Sequence, residues 1–377
     1  MAAPRVYLDH NATTPILAVA RAAVANALDQ LGNPSSVHRF GTAARQTVDL
    51  ARDQVAALVG CRSNEVVFTS GGTEANNLAL LGINRPLIVS AIEHDSVLAP
   101  ARLADDDVTV VPVDPVGVID LDALKAALAA RPGALLSLML ANNETGVCQP
   151  VKAAVALAHE RDVLVHCDAV QGPGKLPVDV ADLGADLLTI SAHKFGGPVG
   201  VGALILRAGL GLAPRQVGGG QEGYRRAGTQ NTPGIAGFGA AAQWQREHCS
   251  EDASAMARRR DRLETACREF GATVFGAESP RLGNTSCLTM PGVSSETQVM
   301  AFDLEGIAVS AGAACSSGKV GPSHVLAAMG VPTTLAGTAI RVSLGRDTSD
   351  EDVDRFIEAW TTLYRRKNPD QSARLAS

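Results

Sequence analysis

Asp186-Leu-Leu-Thr-Ile-Ser-Ala-His-Lys-Phe-Gly-Gly-Pro198 carries a short apolar run into a lysine, then into two glycines and a proline. Leu187 to Ile190 lack the alternation of a half-exposed strand, so the run reads as a strand covered on both faces. Gly196, Gly197 and Pro198 end it. Lys194 therefore falls at the mouth of a buried strand. An ammonium group is costly to desolvate there. A lysine so placed is readily turned into a neutral amine or a Schiff base, unless its stem carries the charge out to water.

Outward from this stretch the pattern repeats. Val66–Thr69, Leu87–Ser90, Val108–Val113, Leu135–Leu140, Leu164–Cys167 and Ala203–Leu206 are short β-branched or leucine-rich runs. Helix-like segments at Thr73–Leu81, Leu121–Ala130 and Val151–Arg161 fall between several of them. This alternation predicts an α/β fold with a mostly parallel central sheet covered on both faces. After Gly220 the pattern changes. Residues 233–270 read as one long helix, and the shorter elements beyond suit a smaller α+β domain. A last helix is expected after Ser349, whose hydroxyl can cap it, with Asp350, Glu351 and Asp352 at the positive end of its dipole.

Composition narrows the function. With 46% apolar residues in 377, the chain can build a sizeable core. The formal net charge of −6 argues against nucleic-acid binding through a bulk positive field, but not against a local anion site. No run reaches about 18 uninterrupted apolar residues, so no membrane helix is expected. Met1-Ala-Ala-Pro-Arg5 lacks the basic-then-apolar pattern of a secretory leader, and a cytoplasmic protein is expected. The seven cysteines, at 61, 148, 167, 249, 267, 287 and 315, include no CxxC pair, which leaves neither a zinc ribbon nor a dithiol motif.

Several constellations can carry chemistry. Ser70-Gly-Gly-Thr-Glu74 follows a predicted strand and opens a helix. Glycines there admit a ligand to the backbone and free N–H groups attract an anion, although an ordinary strand-to-helix turn reads the same. Asp168 closes its apolar run at the place where parallel sheets bind ligands, and can pair with a buried cation or cap the next turn. It lies 26 residues before Lys194, room for a helix and a strand, so adjacent strands can bring the two into one pocket. An acid, an amine and a phosphate cradle meet the needs of pyridoxal 5'-phosphate. His94 can stack on a planar cofactor or exchange protons. Arg341, in an apolar setting, can clamp a carboxylate or bridge two domains. Val309-Ser-Ala-Gly-Ala-Ala-Cys-Ser-Ser-Gly318 is built from small residues, which predicts an exposed, mobile loop with an accessible thiol. Gly218-Gly-Gly-Gln-Glu-Gly223 matches a dinucleotide fingerprint literally but has no strand leading into it.

Nine motifs occur in order along nearly the whole chain. They are Tyr7-Leu-Asp-His-Asn-Ala-Thr-Thr-Pro15, Gly32-Asn-Pro-Ser-Ser-Val-His38, Phe68-Thr-Ser-Gly-Gly-Thr-Glu74, Asn142-Asn-Glu-Thr-Gly146, Asp168-Ala-Val-Gln171, Ser191-Ala-His-Lys194, Arg226-Ala-Gly-Thr229, the Cys315 loop and Ile340-Arg-Val-Ser-Leu-Gly345. In that order and spacing the chain resembles the NifS/IscS-type cysteine desulfurases, class V aminotransferases with the pyridoxal-phosphate fold type I. Ala192 and Val199 depart from the family's usual Gly and Lys, beside the site rather than in it.

The resemblance implies conversion of L-cysteine to L-alanine, with sulfur passed to a Cys315 persulfide and on to iron–sulfur cluster assembly. A selenocysteine lyase, another class V enzyme or a non-catalytic binding protein would share much of the pattern. By resemblance, Lys194 holds the cofactor and moves protons at the substrate Cα. Gly72, Thr73, Ser191 and His193 bind its phosphate, and Thr229 reaches the phosphate of the partner subunit in a homodimer. Asp168 pairs with the pyridine nitrogen, Asn142 and Gln171 contact the ring and its phenolic oxygen, and His94 stacks on the ring and shares in the chemistry. Asn33, Asn142 and Arg341 hold the substrate. Cys315 accepts the sulfur and serves as a transient iron–sulfur ligand, with a scaffold or sulfur-acceptor protein as partner. The implied organisation is a large cofactor domain over 14–252 and a small domain from 1–13 with 253–377, the catalytic cysteine loop lying at about 310–325.

Overall fold

Seven strands form the central sheet in the computed structural model, which describes residues 5–104, 108–311 and 323–369. Their order across the sheet is Val66–Thr69, Gly202–Leu206, Leu187–Ser191, Leu164–Asp168, Leu135–Ser137, Leu87–Ser90 and Thr109–Val111. The last five run parallel to one another. Gly202–Leu206 is antiparallel to both its neighbours, so Val66–Thr69 again points the same way as Leu187–Ser191. The carboxyl ends of every strand but Gly202–Leu206 therefore open at one edge.

Successive strand residues face opposite sides of the sheet. Phe68, Leu188, Ile190 and Ile205 join one core with Val48 and Val55 of helix Arg39–Val59 and Phe238 and Ala241 of helix Thr232–Arg268. Val67, Leu187 and Leu204 join the other with Leu78 of helix Gly72–Ile83 and Val97 of helix Asp95–Ala104. Both faces are buried, which is why these strands are apolar throughout rather than alternating.

A further core gathers Met256, Leu263, Leu288, Phe302, Ile340, Phe356 and Trp360. Its antiparallel sheet has the order Ser310–Ala311, Ala339–Ser343, Thr285–Thr289. Helix Asp350–Lys367 lies against it, with Ser349 accepting from the Asp352 N–H as a cap. Helix Thr232–Arg268 serves both cores, its first half the sheet core and its second half this one. Val6–Tyr7 pairs in parallel with Ile307–Ala308, and this brings the next residues, Asp9 to Ala12, to the open edge of the large sheet. Among the described residues no helix is long and apolar enough to cross a membrane.

Candidate active site

Three strand ends build the site. Asp168 is last in its strand and pairs in register with Thr189, two residues short of Ser191. A single 3-10 turn, Ala192–Lys194, then carries the lysine over the sheet edge. Val66–Thr69 ends at the same edge and passes through Gly71 into helix Gly72–Ile83. A cavity of about 220 Å³ opens where they meet. Of the residues singled out from sequence, Gly72, Thr73, His94, Asp168, Gln171, Ser191, His193, Lys194 and Arg341 all line it.

Each group has a defined state. The Lys194 amine donates to the carbonyls of Asn11 (2.7 Å) and Ala12 (2.8 Å). Burial, then the nearby Arg341 charge, push it down to about 8. Asp168 accepts from the Asn76 amide at 2.8 Å and from the Val170 N–H at 3.0 Å. His94 Nδ1 shares a hydrogen bond of 2.9 Å with the Ser96 hydroxyl, and burial lowers its pKa. Burial, then Lys194, drive His193 down to about 4, so its ring is neutral. Arg341 bonds Asp9 (2.7 Å) and the Asn143 carbonyl (3.2 Å), while its buried Nε has no partner.

Three residues singled out from sequence stand elsewhere, and a fourth falls outside the described residues. Asn142 is a correction. Its Oδ1 accepts from the N–H groups of Glu144 (2.9 Å) and Thr145 (3.0 Å), and its Nδ2 donates to the Ile92 carbonyl (3.2 Å). The amide is consumed in the turn, and the next residue, Asn143, lines the cavity instead. Asn33 and Thr229 are exposed and do not line this chain's cavity. Cys315, with most of its loop, lies outside the described residues. The six described thiols, Cys61, Cys148, Cys167, Cys249, Cys267 and Cys287, are all free, and burial raises every one, Cys148 to about 11 and Cys61 to about 12.

The sequence reading also missed Asn11, Asn76 and Asn143. Asn76 sits one turn into the cradle helix, where its spacing from Gly72 and Thr73 turns its amide toward Asp168. Asn11 has no such signal. It arrives from the far end of the chain, held by Asn143, Thr285 and Asn284.

Comparison with known proteins agrees with this geometry. The Aminotransferase class-V family model matches residues 6–356. The chain belongs to this family. A cysteine desulfurase of Cereibacter sphaeroides is 44% identical over 368 residues, 94% of each chain. The cysteine desulfurase IscS of Dictyoglomus turgidum is 41% identical over 378 residues, 95% of this chain and 96% of that one. A NifS-like protein from Rickettsia africae superposes with a TM-score of 0.89 at 34% identity, covering 96% of this chain and 99% of its own. SspA in complex with cysteine superposes with a TM-score of 0.79 at 30% identity, covering 91% and 100%.

The family's cofactor is pyridoxal 5'-phosphate, and the residues present fit it. Helix Gly72–Ile83 starts without a side-chain cap, so its first N–H groups are free for a phosphate. The buried Ser191 hydroxyl beside it has no partner in the protein. A Cβ on Gly72 would come within 2.9 Å of Val170 Cγ2 and 3.5 Å of Ser191 Cβ, so only glycine leaves this cradle its shape. Lys194 is the lysine that lines the cavity, and Asp168 is the carboxylate.

Proposed function

We propose that this enzyme is a pyridoxal-phosphate-dependent cysteine desulfurase, which converts L-cysteine to L-alanine and supplies sulfur for iron–sulfur cluster assembly. The observation that carries it is the single cavity in which a lysine with its pKa lowered to about 8, a strand-end carboxylate, an open helix start and an arginine converge. The bound cofactor supplies an electron sink for the charge that develops at the substrate Cα.

The chain's own groups do the rest. Gly72, Thr73, Ser191 and His193 would hold the phosphate, and Asp168 would keep the ring nitrogen protonated. Arg341, which lines the cavity, would meet the substrate carboxylate. Lys194, free of the cofactor once substrate is bound, takes the proton from Cα; a pKa of about 8 leaves it competent as a base near neutrality. His94 borders the same space and would position the ring. The Cys315 thiolate then attacks the substrate sulfur. The C–S bond breaks, an S–S bond forms, and the carbon skeleton takes a proton in place of sulfur and leaves as alanine. One cysteine and one thiol thus give one alanine and one persulfide. A homodimer, with Thr229 offered to the partner's site, Asn33 as a substrate contact, and a scaffold or sulfur-acceptor protein that takes the persulfide from Cys315 complete the proposal. Transient iron–sulfur ligation by Cys315 belongs to that delivery step.

The test is a pair of variants. Cys315→Ser should keep the visible cofactor absorbance and lose alanine and persulfide formation. Lys194→Ala should lose both the covalently held absorbance and turnover. Full alanine production by Cys315→Ser would remove the thiol from the reaction.

A further inference from the structure

Lys175 is a buried amine that the reaction above does not use. It lies in the turn after strand Leu164–Asp168, its backbone N–H bonded to the Gly172 carbonyl, and is 7% exposed. It does not line the main cavity. It stands behind it, beside a recess of about 30 Å³ shared with His10, Gln245 and Asn284. Its amine donates to Oε1 of Gln171. Gln171 does line the main cavity. Its Nε2 donates at 3.1 Å to the Asn11 carbonyl, the same oxygen that accepts from Lys194.

These partners fix which way the Gln171 amide points. A backbone carbonyl only accepts, so the atom facing Asn11 is the nitrogen. Oε1 is then turned into buried surroundings, where an acceptor left unpaired is costly, and Lys175 is the donor it meets. Nε2 carries two hydrogens, and Asn11 takes one of them. The other is left for a ligand.

We propose that Lys175 is a positioning residue: by holding Oε1 of Gln171 it keeps the Nε2–H of that side chain available to an acceptor oxygen of the bound cofactor. The inference rests on the cofactor reading above. Without Lys175 the amide can rotate or flip, and the cavity then meets an acceptor where it needs a donor.

The experiment titrates cofactor-free protein with pyridoxal phosphate and records the dissociation constant and the visible absorption maximum for wild type, Lys175→Met, Lys175→Gln, Gln171→Leu and the Lys175→Met/Gln171→Leu pair. Wild type that binds no pyridoxal phosphate would overturn the functional reading itself. If wild type binds, the remaining arms decide this inference alone. Lys175→Met should weaken binding about tenfold, the factor for one buried hydrogen bond, and shift the maximum. Lys175→Gln, which still carries a donor, should restore most of both. In the Gln171→Leu background Lys175→Met should add less than about twofold. An unchanged constant and maximum in Lys175→Met, or an equal tenfold loss in the Gln171→Leu background, overturns the proposal. Should Lys175→Met fail to fold, the pair decides. A folded pair with the spectrum of Gln171→Leu supports it, and a pair that also fails to fold overturns it.

Discussion

At the scale of single residues, the state of Lys194 makes a measurable claim. Only the neutral amine attacks a carbonyl, and burial together with Arg341 lowers this amine from its usual 10.5 to about 8. Uptake of pyridoxal phosphate by the cofactor-free protein should therefore accelerate with pH and level off just above 8. Arg341→Leu removes the second cause and should move the midpoint upward. A wild-type midpoint near 10.5, read by stopped-flow absorbance, would contradict the environment described for the lysine. Lys194 and Asp168 were legible in the sequence as pocket candidates because each stands at the end of an apolar run covered on both faces. Asn142 was not, since two adjacent asparagines carry the same chemistry and only the turn's hydrogen bonds tell them apart. That distinction has its own test. Asn142→Ala strips the turn of its acceptor and should lower stability by about 1–3 kcal/mol. Asn143→Ala should leave stability within about 0.5 kcal/mol and instead weaken ligand binding. Denaturant midpoints beside cofactor titration separate them, and the reverse pattern would restore Asn142 to the cavity.

The elements follow the sequence where local pattern suffices and depart from it where partners are remote. Val66–Thr69, Leu87–Ser90 and helix Leu121–Ala130 have the expected limits, because period and breakers sit side by side in the chain. Val108–Val113 and Leu135–Leu140 shrink to Thr109–Val111 and Leu135–Ser137, since a strand lasts only as long as its neighbour does. The reversed direction of Gly202–Leu206 was invisible. It depends on a short return from Lys194 that an apolar run does not encode. Glycines mark where this return presses on the cradle. A Cβ on Gly202 would lie 2.7 Å from the Gly71 carbonyl carbon and 2.9 Å from the Ile190 oxygen. Gly71 itself has φ 155° and ψ −179°, a region essentially closed to other residues, with open space where a Cβ would go. Gly71→Ala therefore isolates backbone strain from clash. It should cost about 1–3 kcal/mol of stability and, by tilting the first N–H groups of helix Gly72–Ile83, also weaken pyridoxal phosphate binding. A variant that loses stability but binds the cofactor as wild type does would detach the Gly71 conformation from the anion site.

For the whole molecule, the exposed face near Asn33 and Thr229 is where one chain stops explaining itself. Val37 is 94% exposed and Tyr224 76%, with Leu31, Phe40 and Val217 also bare. Pro34 and Ser35 share a surface recess with Gly220, Gln221 and Glu222, so the two segments adjoin. Glu222 anchors the second segment through a two-pronged ion pair with Arg52 at 2.7 and 2.8 Å, and Arg226 ties it to Glu74 of the cradle helix at 2.8 Å. Exposed apolar side chains on two adjoining segments suit the proposed homodimer surface. No sequence period announces it, because each apolar residue stands alone in its segment and only the fold assembles them. If Thr229 serves the partner's site, the two defects of Thr229→Ala and Lys194→Ala must complement. In a mixed dimer, the Thr229→Ala chain keeps its own lysine and receives an intact Thr229 from its Lys194→Ala partner, so that site is whole. The other site lacks both groups. Mixed dimers, isolated by two different affinity tags, should then show about half the activity of wild type and more per intact lysine than the Thr229→Ala homodimer. If Thr229 acts within its own chain, the only site with a lysine still carries the threonine defect. Mixing would then yield no more than half the Thr229→Ala rate, and that outcome would return Thr229 to its own subunit.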